Sequence, residues 1–409
     1  MESTILMLLE NNPYSRDIRV RQEARALAKA RYKVIVIAPK TADEPFYGED
    51  ESIRLYRYPA PPAAQSPIGY LFEYAYSLII SLVLTIFVYC RHGFDVIHAH
   101  NPPDIYVLIG ILGKVFGKKF VFDHHDLSPE LYLHSRFNGE SNPILASILI
   151  FFEKLSCRWA DHVIVTNQSY KEVNIERSDI AASKITIVRN GPNLNLLKPM
   201  PEQSDPADVV TLGYLGMIGL QDGVENLIRT IDILVNHHKQ NQFKCVIVGE
   251  GAALNDVKAL AQSLNVAPYV EFVGWVSYDE VNYCLNRFDI CIAPELGNAY
   301  TTKCTTIKIM EYMAVGKPIV AFDLIEHKRS AMESALYATQ NDIDEFAAHV
   351  NTLIGSQSMR QSLGAAGLSR VTSVLNWDNQ ALVLIQVYDR LLRKPPHIQS
   401  IRKKVSTQI

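Results

Sequence analysis

The run Thr305-Thr306-Ile307-Lys308-Ile309-Met310-Glu311-Tyr312-Met313-Ala314-Val315-Gly316-Lys317-Pro318-Ile319-Val320-Ala321 couples a short helix pattern to a buried strand. Thr305 or Thr306 is placed to cap the helix, whose first turn offers free N–H groups and the positive end of the dipole. Lys308 and Glu311, three residues apart, share one helical face. Amides and a lysine suit phosphates, and a carboxylate suits ribose hydroxyls, so the segment has the chemistry of a nucleotide-diphosphate site. A surface helix carrying an ion pair would show the same local pattern.

Outward from this run, apolar strand patterns alternate with amphipathic helix patterns. The first set has strands at residues 4–9, 33–38, 96–99 and 120–122 and a helix at 19–30. A second set follows Asn190-Gly191-Pro192-Asn193 and the polar, Pro-containing stretch 198–208. Its strands are 209–215, 244–249, 269–273, 290–293, 318–321 and 335–338, with helices such as 224–237 and 250–264. This alternation predicts an α/β protein of parallel, doubly wound sheets. The expected domains are 1–195 and 196–376, followed by a helix and basic tail at 377–409. Ligands of such sheets bind at strand C-terminal ends, so a cleft between the two domains is the expected site.

The chain has 409 residues, 48% of them hydrophobic, enough for two sizeable cores. A net charge of −3 argues against a general nucleic-acid binder, although Arg16, Arg19, Arg21, Arg25, Lys29, Arg31 and Lys33 make the start locally basic. The six cysteines show neither a CxxC pair nor zinc-like spacing, and they read as reduced thiols of a cytosolic protein. Ile5 to Leu9 reads as a first buried strand rather than a secretory signal. Residues 78–89 form an apolar run too short for a bilayer span, preceded by Tyr70, Phe72, Tyr74 and Tyr76. A core helix and a helix with one lipid-touching edge both fit, since periodicity does not separate them.

His98 and His100 close a strand and are expected on opposite faces, with one of them facing the cleft. Asp123, His124, His125 and Asp126 contain metal-ligand chemistry, but contiguous residues at a strand exit do not converge on one ion, and no metal is expected. Asp342-Ile343-Asp344 precedes a helix pattern and reads as a cap. The loop from Gly213 to Gly223 lies between a strand and a helix, a geometry that exposes amides to an anion, with Gly216, Gly219 and Gly223 as its turning points. Gly249-Glu250-Gly251 is a second such turn, for which a purely structural role and a ligand contact both fit. Glu326 is expected at a strand end, on a pocket rim or as a surface acid.

These segments together resemble the retaining family 4 glycosyltransferases. The resemblance runs from Asn11-Asn12-Pro13-Tyr14-Ser15-Arg16-Asp17-Ile18-Arg19-Val20 through His98-Ala99-His100-Asn101-Pro102-Pro103-Asp104 and Phe122-Asp123-His124-His125-Asp126-Leu127-Ser128-Pro129-Glu130. It continues through Asn190-Gly191, Val248-Gly249-Glu250-Gly251 and Asp289-Ile290-Cys291-Ile292-Ala293-Pro294 to Trp377 and Tyr388. Gln221-Asp222-Gly223 and Phe322-Asp323-Leu324-Ile325-Glu326 are similar to a bacterial subgroup associated with surface polysaccharides.

The resemblance implies the GT-B fold: two facing Rossmann-like domains, an interdomain cleft and a C-terminal helix returning to the first domain. It implies a hexosyl transfer from a nucleotide diphosphate to a hydroxyl of a lipid-linked saccharide, with retention and without a cofactor or metal. His100 is the histidine it places near the donor sugar, with Lys308 and Glu311 completing the catalytic set. Gly216, Gly219, Gly223, Gly249, Gly251, Thr306, Arg16 and Arg19 line the donor, while His125 and Asp126 stand on the acceptor side. Phe272-Val273-Gly274-Trp275-Val276 resembles the segment beside the nucleotide base.

Two departures stand out. Met217 and Asp222 replace the Arg and Lys that neutralise the diphosphate in many relatives, leaving Lys308 with Arg16 or Arg19 as the available cations. Lys303 replaces the first of two acidic residues, the second being Glu311. A non-catalytic sugar-nucleotide scaffold is the alternative these departures raise, and a GT-B sugar-nucleotide epimerase is a second alternative that the fold alone does not exclude. The basic start and the apolar 70–89 segment imply peripheral attachment to an anionic membrane surface, on the cytoplasmic face.

Overall fold

The computed structural model describes residues 2–61, 67–134, 142–201 and 209–393. The polar stretch 202–208 and the basic tail beyond residue 393 lie outside them. Two compact units emerge, one reaching to Asn190 and resuming at Asn379, the other spanning Gly191–Asp378.

The first unit is built on β1 (Thr4–Leu8), β2 (Lys33–Lys40), β3 (Tyr47–Asp50), β4 (Ile53–Pro59), β5 (Val96–His100), β6 (Lys119–His124), β7 (His162–Val165) and β8 (Ile185–Ile187). Their order is β3-β4-β2-β1-β5-β6-β7-β8, parallel except for the β3–β4 pair. The central strands are continuous apolar runs because helices cover both faces. These helices are α1 (Ile18–Lys29), α2 (Pro67–His92), α3 (Val107–Val115), α4 (Ser128–His134), α5 (Pro143–Trp159) and α6 (Gln168–Ser178). Asp17 caps α1 by accepting from the Val20 N–H at 2.9 Å.

Helix α2 corrects one expectation. The helix is 26 residues long, and its segment Leu71–His92 is long and apolar enough to cross a membrane, with a mean hydropathy of 2.0. The aromatic residues ahead of residue 78 continue the same helix, which is why the aliphatic run alone understated its length; the side chain of Tyr70 lies outside the described residues. Tyr74, Ser77, Ser81, Thr85 and Val88, spaced three or four apart, form its buried stripe, while Phe72, Ile79, Val83, Ile86 and Phe87 are exposed. Ser77 donates to Glu10 at 3.2 Å, and Ser81 lies 2.9 Å from the Tyr106 hydroxyl. The inward face is thus the polar one.

The second unit holds β9 (Val210–Leu215), β10 (Phe243–Val248), β11 (Val270–Gly274), β12 (Ile290–Ala293), β13 (Ile319–Phe322) and β14 (Ala335–Ala338), all parallel in the order β11-β10-β9-β12-β13-β14. Its helices are α7 (Val224–Asp232), α8 (Leu254–Ser263), α9 (Tyr278–Asn286), α10 (Ile307–Ala314), α11 (Ile325–Ala331), α12 (Ile343–Ile354) and α13 (Gln357–Arg370). Alternate strand residues feed two cores: Leu212, Ile247, Ile292 and Val320 on one face, Val246, Cys291, Ala293 and Ala321 on the other. Asp342 caps α12 through the Glu345 N–H at 2.9 Å, as read from sequence. The six cysteines are free thiols, four of them buried.

Helix α14 (Trp377–Leu391) begins at the second unit and from Asn379 onward belongs to the first. There Gln380 accepts from the Arg189 N–H at 3.0 Å, and Asp389 accepts from the Tyr32 hydroxyl at 2.7 Å.

Candidate active site

Each sheet has a point where the strand order reverses, between β1 and β5 in the first unit and between β9 and β12 in the second. In open α/β sheets ligands bind outside the carboxyl ends of the strands at such points. The residues singled out above cluster there.

In the second unit, Tyr312 ties α10 to the switch point. Its hydroxyl accepts from the Leu215 N–H at 3.1 Å and donates to the Ile292 carbonyl at 3.3 Å. This seats Lys308 and Glu311 beneath the ends of β9 and β12, both of them buried rather than on a solvent face. Lys308 Nζ lies 2.7 Å from Glu295 Oε1, 3.0 Å from the Tyr214 hydroxyl and 3.4 Å from Asp222 Oδ1. It also sits 4.5 Å from the centroid of the Tyr214 ring. Burial pulls its pKa down, but Glu295, Tyr214 and Asp222 together hold it well above the usual lysine value. Glu295 is 2% exposed, and Lys308 and His327 keep its carboxylate ionised against the effect of burial.

Glu295 went unread in the sequence. It lies two residues past the end of β12, 13 residues ahead of Lys308 in a segment without helical periodicity, and its one local signal was its place after Asp289-Ile290-Cys291-Ile292-Ala293-Pro294. Asp222 acts as an acceptor, from the Lys308 ammonium at 3.4 Å and the Gly219 N–H at 3.1 Å. Burial raises its pKa, with Lys308 opposing. Glu311 is different again: burial lifts its carboxyl to about 7, with Lys308 opposing, so it changes charge near neutrality.

Three local expectations are corrected here. Thr306 is the N-cap residue of α10, but its side chain makes no bond to the helix amides: its hydroxyl lies 3.4 Å from His327 Nε2, while Thr305 donates to Glu326 at 3.3 Å. Glu326 itself is buried in the first turn of α11, held by Arg329 at 3.0 Å, and is neither at a strand end nor on the surface. The glycine loops are not open amide cradles. The Gly216, Ile218 and Gly249 N–H groups donate to Val248, Glu250 and Gly274 carbonyls at 2.9–3.0 Å, and the Gly219 N–H donates to Asp222 at 3.1 Å. Their glycines serve close packing of backbone on backbone. A Cβ at Gly249 would lie 1.8 Å from the Gly216 carbonyl oxygen, one at Gly251 2.4 Å from that of Ile218, and one at Gly223, where φ is +65°, 2.3 Å from that of Pro294.

In the first unit, β5 ends at His100. His98 and His100 do not point to opposite faces: being two apart on a strand they share one, with ring centroids 4.1 Å apart. His98 Nδ1 lies 2.7 Å from the Tyr388 hydroxyl on α14. His100 Nδ1 lies 2.9 Å from Asp123 Oδ2, which assigns the proton to Nδ1 and leaves Nε2 as a lone pair with no hydrogen-bond partner among the described residues. Burial holds the His100 pKa down despite Asp123, so the ring is neutral. Asp123 also receives Arg19 through Nε at 2.8 Å and Nη2 at 2.7 Å.

Arg19 therefore does not serve as a free cation for a donor. It is buried and fully engaged, with Glu23 at 3.0 Å, the Val188 carbonyl at 3.0 Å and Asn190 Oδ1 at 2.5 Å as further partners. Arg16 is exposed in the turn before α1. His125 lies 3.2 Å from Asp123, and Asn101 pins the acceptor-side loop by accepting from the His125 and Asp126 N–H groups at 2.8 and 3.0 Å.

The contiguous residues 123–126 do not converge. Glu23, His98, His100 and Asp123 do, with ligand atoms within 4.8 Å of one another. The charge facing those carboxylates is the Arg19 guanidinium, bonded to both. Burial raises the Glu23 carboxyl to about 8, Arg19 opposing, so at neutral pH this acid carries a proton.

Two family profiles match the chain: residues 18–196 match "Glycosyltransferase Family 4" and residues 209–356 match "Glycosyl transferases group 1". The chain is 22% identical over 296 residues to a glycogen synthase of Mycobacterium tuberculosis, covering 72% of this chain and 68% of that protein. Among solved structures, a sucrose-phosphate synthase from Thermosynechococcus elongatus superposes with a TM-score of 0.79 at 21% identity, over 96% of this chain and 100% of the other. The Anabaena HepE protein, in complex with UDP-glucose, superposes with a TM-score of 0.69 at 16% identity, over 95% and 99%. With two Rossmann-like units and profile matches that together run along most of its length, the chain is a glycosyltransferase with the GT-B fold.

Proposed function

We propose that the protein moves a sugar from a nucleotide diphosphate to a hydroxyl of a lipid-linked saccharide in surface-polysaccharide assembly, with retention of configuration. The observation that carries the donor half of this reading is the buried Lys308, held beside Glu295 at the switch point of the second sheet with Glu311 one turn further along α10. In this reading Lys308 stabilises the departing diphosphate, and Glu311 in its ionised form accepts from the ribose hydroxyls. The UDP-glucose complex of the Anabaena relative supports a nucleotide-sugar donor.

His100 addresses the sugar through its unprotonated Nε2, oriented by the Asp123 bond at Nδ1. Retaining glycosidases use a carboxylate nucleophile; here the departing phosphate oxygen serves as base, and catalysis rests on positioning and electrostatics. His125 and Asp126 stand on the acceptor side, and neither metal nor cofactor takes part. The enzyme attaches peripherally to the cytoplasmic face of the membrane, a location supported by the exposed apolar residues of α2.

Incubation with a panel of nucleotide sugars, with and without a lipid-linked acceptor, tests the reading. Acceptor-dependent release of the nucleotide is expected. Binding without turnover would make the protein a scaffold, and an altered free nucleotide sugar would make it an epimerase.

A further inference from the structure

The ends of α2 and α3 flank a half-open cavity of about 300 Å³ that none of the roles above uses. Its walls come chiefly from Ile86, Tyr89, Phe94, Leu112 and Phe116. Lys118 lines its mouth, with Nζ 5.2 Å from the Tyr89 ring centroid and 6.0 Å from that of Phe94. Among the described residues no carboxylate pairs with Lys118, whereas its neighbours Lys114 and Lys119 both pair with Asp161 at 3.2 Å. The exposed residues Ile79, Val83, Ile86 and Phe87 continue the apolar surface along α2.

We propose that this cavity takes one acyl chain of an anionic membrane phospholipid, with the lipid phosphate on Lys118. The proposal rests on the peripheral membrane attachment argued above and names the contact that makes it. Three features select this occupant. Apart from Thr85, whose buried hydroxyl has no hydrogen-bond partner among the described residues, the lining is chiefly hydrocarbon, so a peptide or a sugar entering the cavity would bury several unpaired polar atoms, which a hydrocarbon chain does not have. The unpaired ammonium at the mouth is complementary to a phosphate. The cavity also lies at the wrong end of the sheet for a reacting acceptor. Phe94 precedes β5 and Lys118 precedes β6, while His100 ends β5; at about 3.3 Å per residue the strand carries His100 about 20 Å from Phe94. The bound chain is an anchor, distinct from the lipid of the acceptor.

The test uses the full chain, with dodecyl phosphate and the neutral dodecyl maltoside as calorimetric probes below their micelle concentrations. Flotation with phosphatidylglycerol or phosphatidylcholine vesicles runs in parallel. One dodecyl phosphate per chain is expected, together with flotation on the anionic vesicles. Leu112→Trp, which fills the cavity, is expected to abolish binding of both probes and to reduce flotation several-fold. Lys118→Glu is expected to weaken dodecyl phosphate at least tenfold and to leave dodecyl maltoside within twofold. Should Leu112→Trp not fold, judged by its thermal melt, the surface variant Lys118→Glu decides alone. Flotation without saturable probe binding overturns the cavity as the lipid site and leaves membrane attachment standing. Probe binding without flotation overturns the membrane lipid as occupant, and the attachment with it. Equal dodecyl phosphate affinity in Lys118→Glu overturns the assigned headgroup contact.

Discussion

Lys308 and Glu295 form an ion pair of 2.7 Å in which both side chains are almost wholly buried, so the cation assigned above to the departing diphosphate has an acid as its partner. Breaking such a pair on one side leaves an uncompensated buried charge. Lys308→Met is therefore expected to destabilise the protein by about 3–5 kcal/mol. The double variant Lys308→Met with Glu295→Gln is expected to recover much of this loss. Urea unfolding of the four members of the cycle checks it, and additive losses would mean that the pair is not coupled.

Nucleotide binding is expected to strengthen as pH rises through about 7, because burial places the Glu311 carboxyl there and only the ionised form accepts two hydroxyl donors. Glu311→Gln should flatten that dependence and cost about 1.5–3 kcal/mol at pH 8, the range for a hydrogen bond to a charged group. Calorimetry with UDP at pH 6 and pH 8 reads both effects. An unchanged affinity at pH 8 would remove Glu311 from the donor site.

Glu23 makes a separate, oppositely directed prediction for stability. Its pKa rises from an ordinary 4.5 to about 8 on folding, so the folded state holds a proton that the unfolded state has released. That contribution is fully present below pH about 4.5 and declines as pH rises through about 8. Glu23→Gln, neutral at every pH, should lose this part of the decline. Chemical denaturation from pH 5 to pH 9 compares the two slopes, and identical slopes would rule out a protonated Glu23.

Arg19→Lys is expected to be strongly destabilising despite keeping the charge. An ammonium cannot reproduce the paired 2.7 and 2.8 Å bonds to Asp123 while also reaching Glu23 and the Val188 carbonyl. A loss of about 2–4 kcal/mol in unfolding free energy is the expected size for damage to a buried charged network. Wild-type stability with weakened donor binding would restore Arg19 to the donor site from which its burial removes it.

Much of this protein is legible along the chain. The alternation of apolar strands and amphipathic helices is a local pattern with fixed periods, and it recovered four of the eight strands of the first sheet and all six of the second within a residue or two. The pairing of Lys308 with Glu311 on one buried helix was equally local. Tyr47–Asp50, Ile53–Pro59, His162–Val165 and Ile185–Ile187 went unread; the first of these is a four-residue edge strand with no buried residue, so no apolar run marks it.

What local pattern could not supply were partners distant in sequence. Arg19 looked like one basic residue among several until the fold brought Asp123, 104 positions away, against it. Glu295 carries no periodicity of its own, yet it sets the charge state around Lys308. Helix α2 shows the same limit in another form, since its hydropathy fits a core, an interface or a membrane. Only packing revealed that Ser77, Ser81 and Thr85 turn inward and Phe72, Ile79, Ile86 and Phe87 outward. Sequence spacing determines which side chains share a face, but which neighbour meets that face, and therefore the charge and protonation of every buried group, is decided by tertiary contacts.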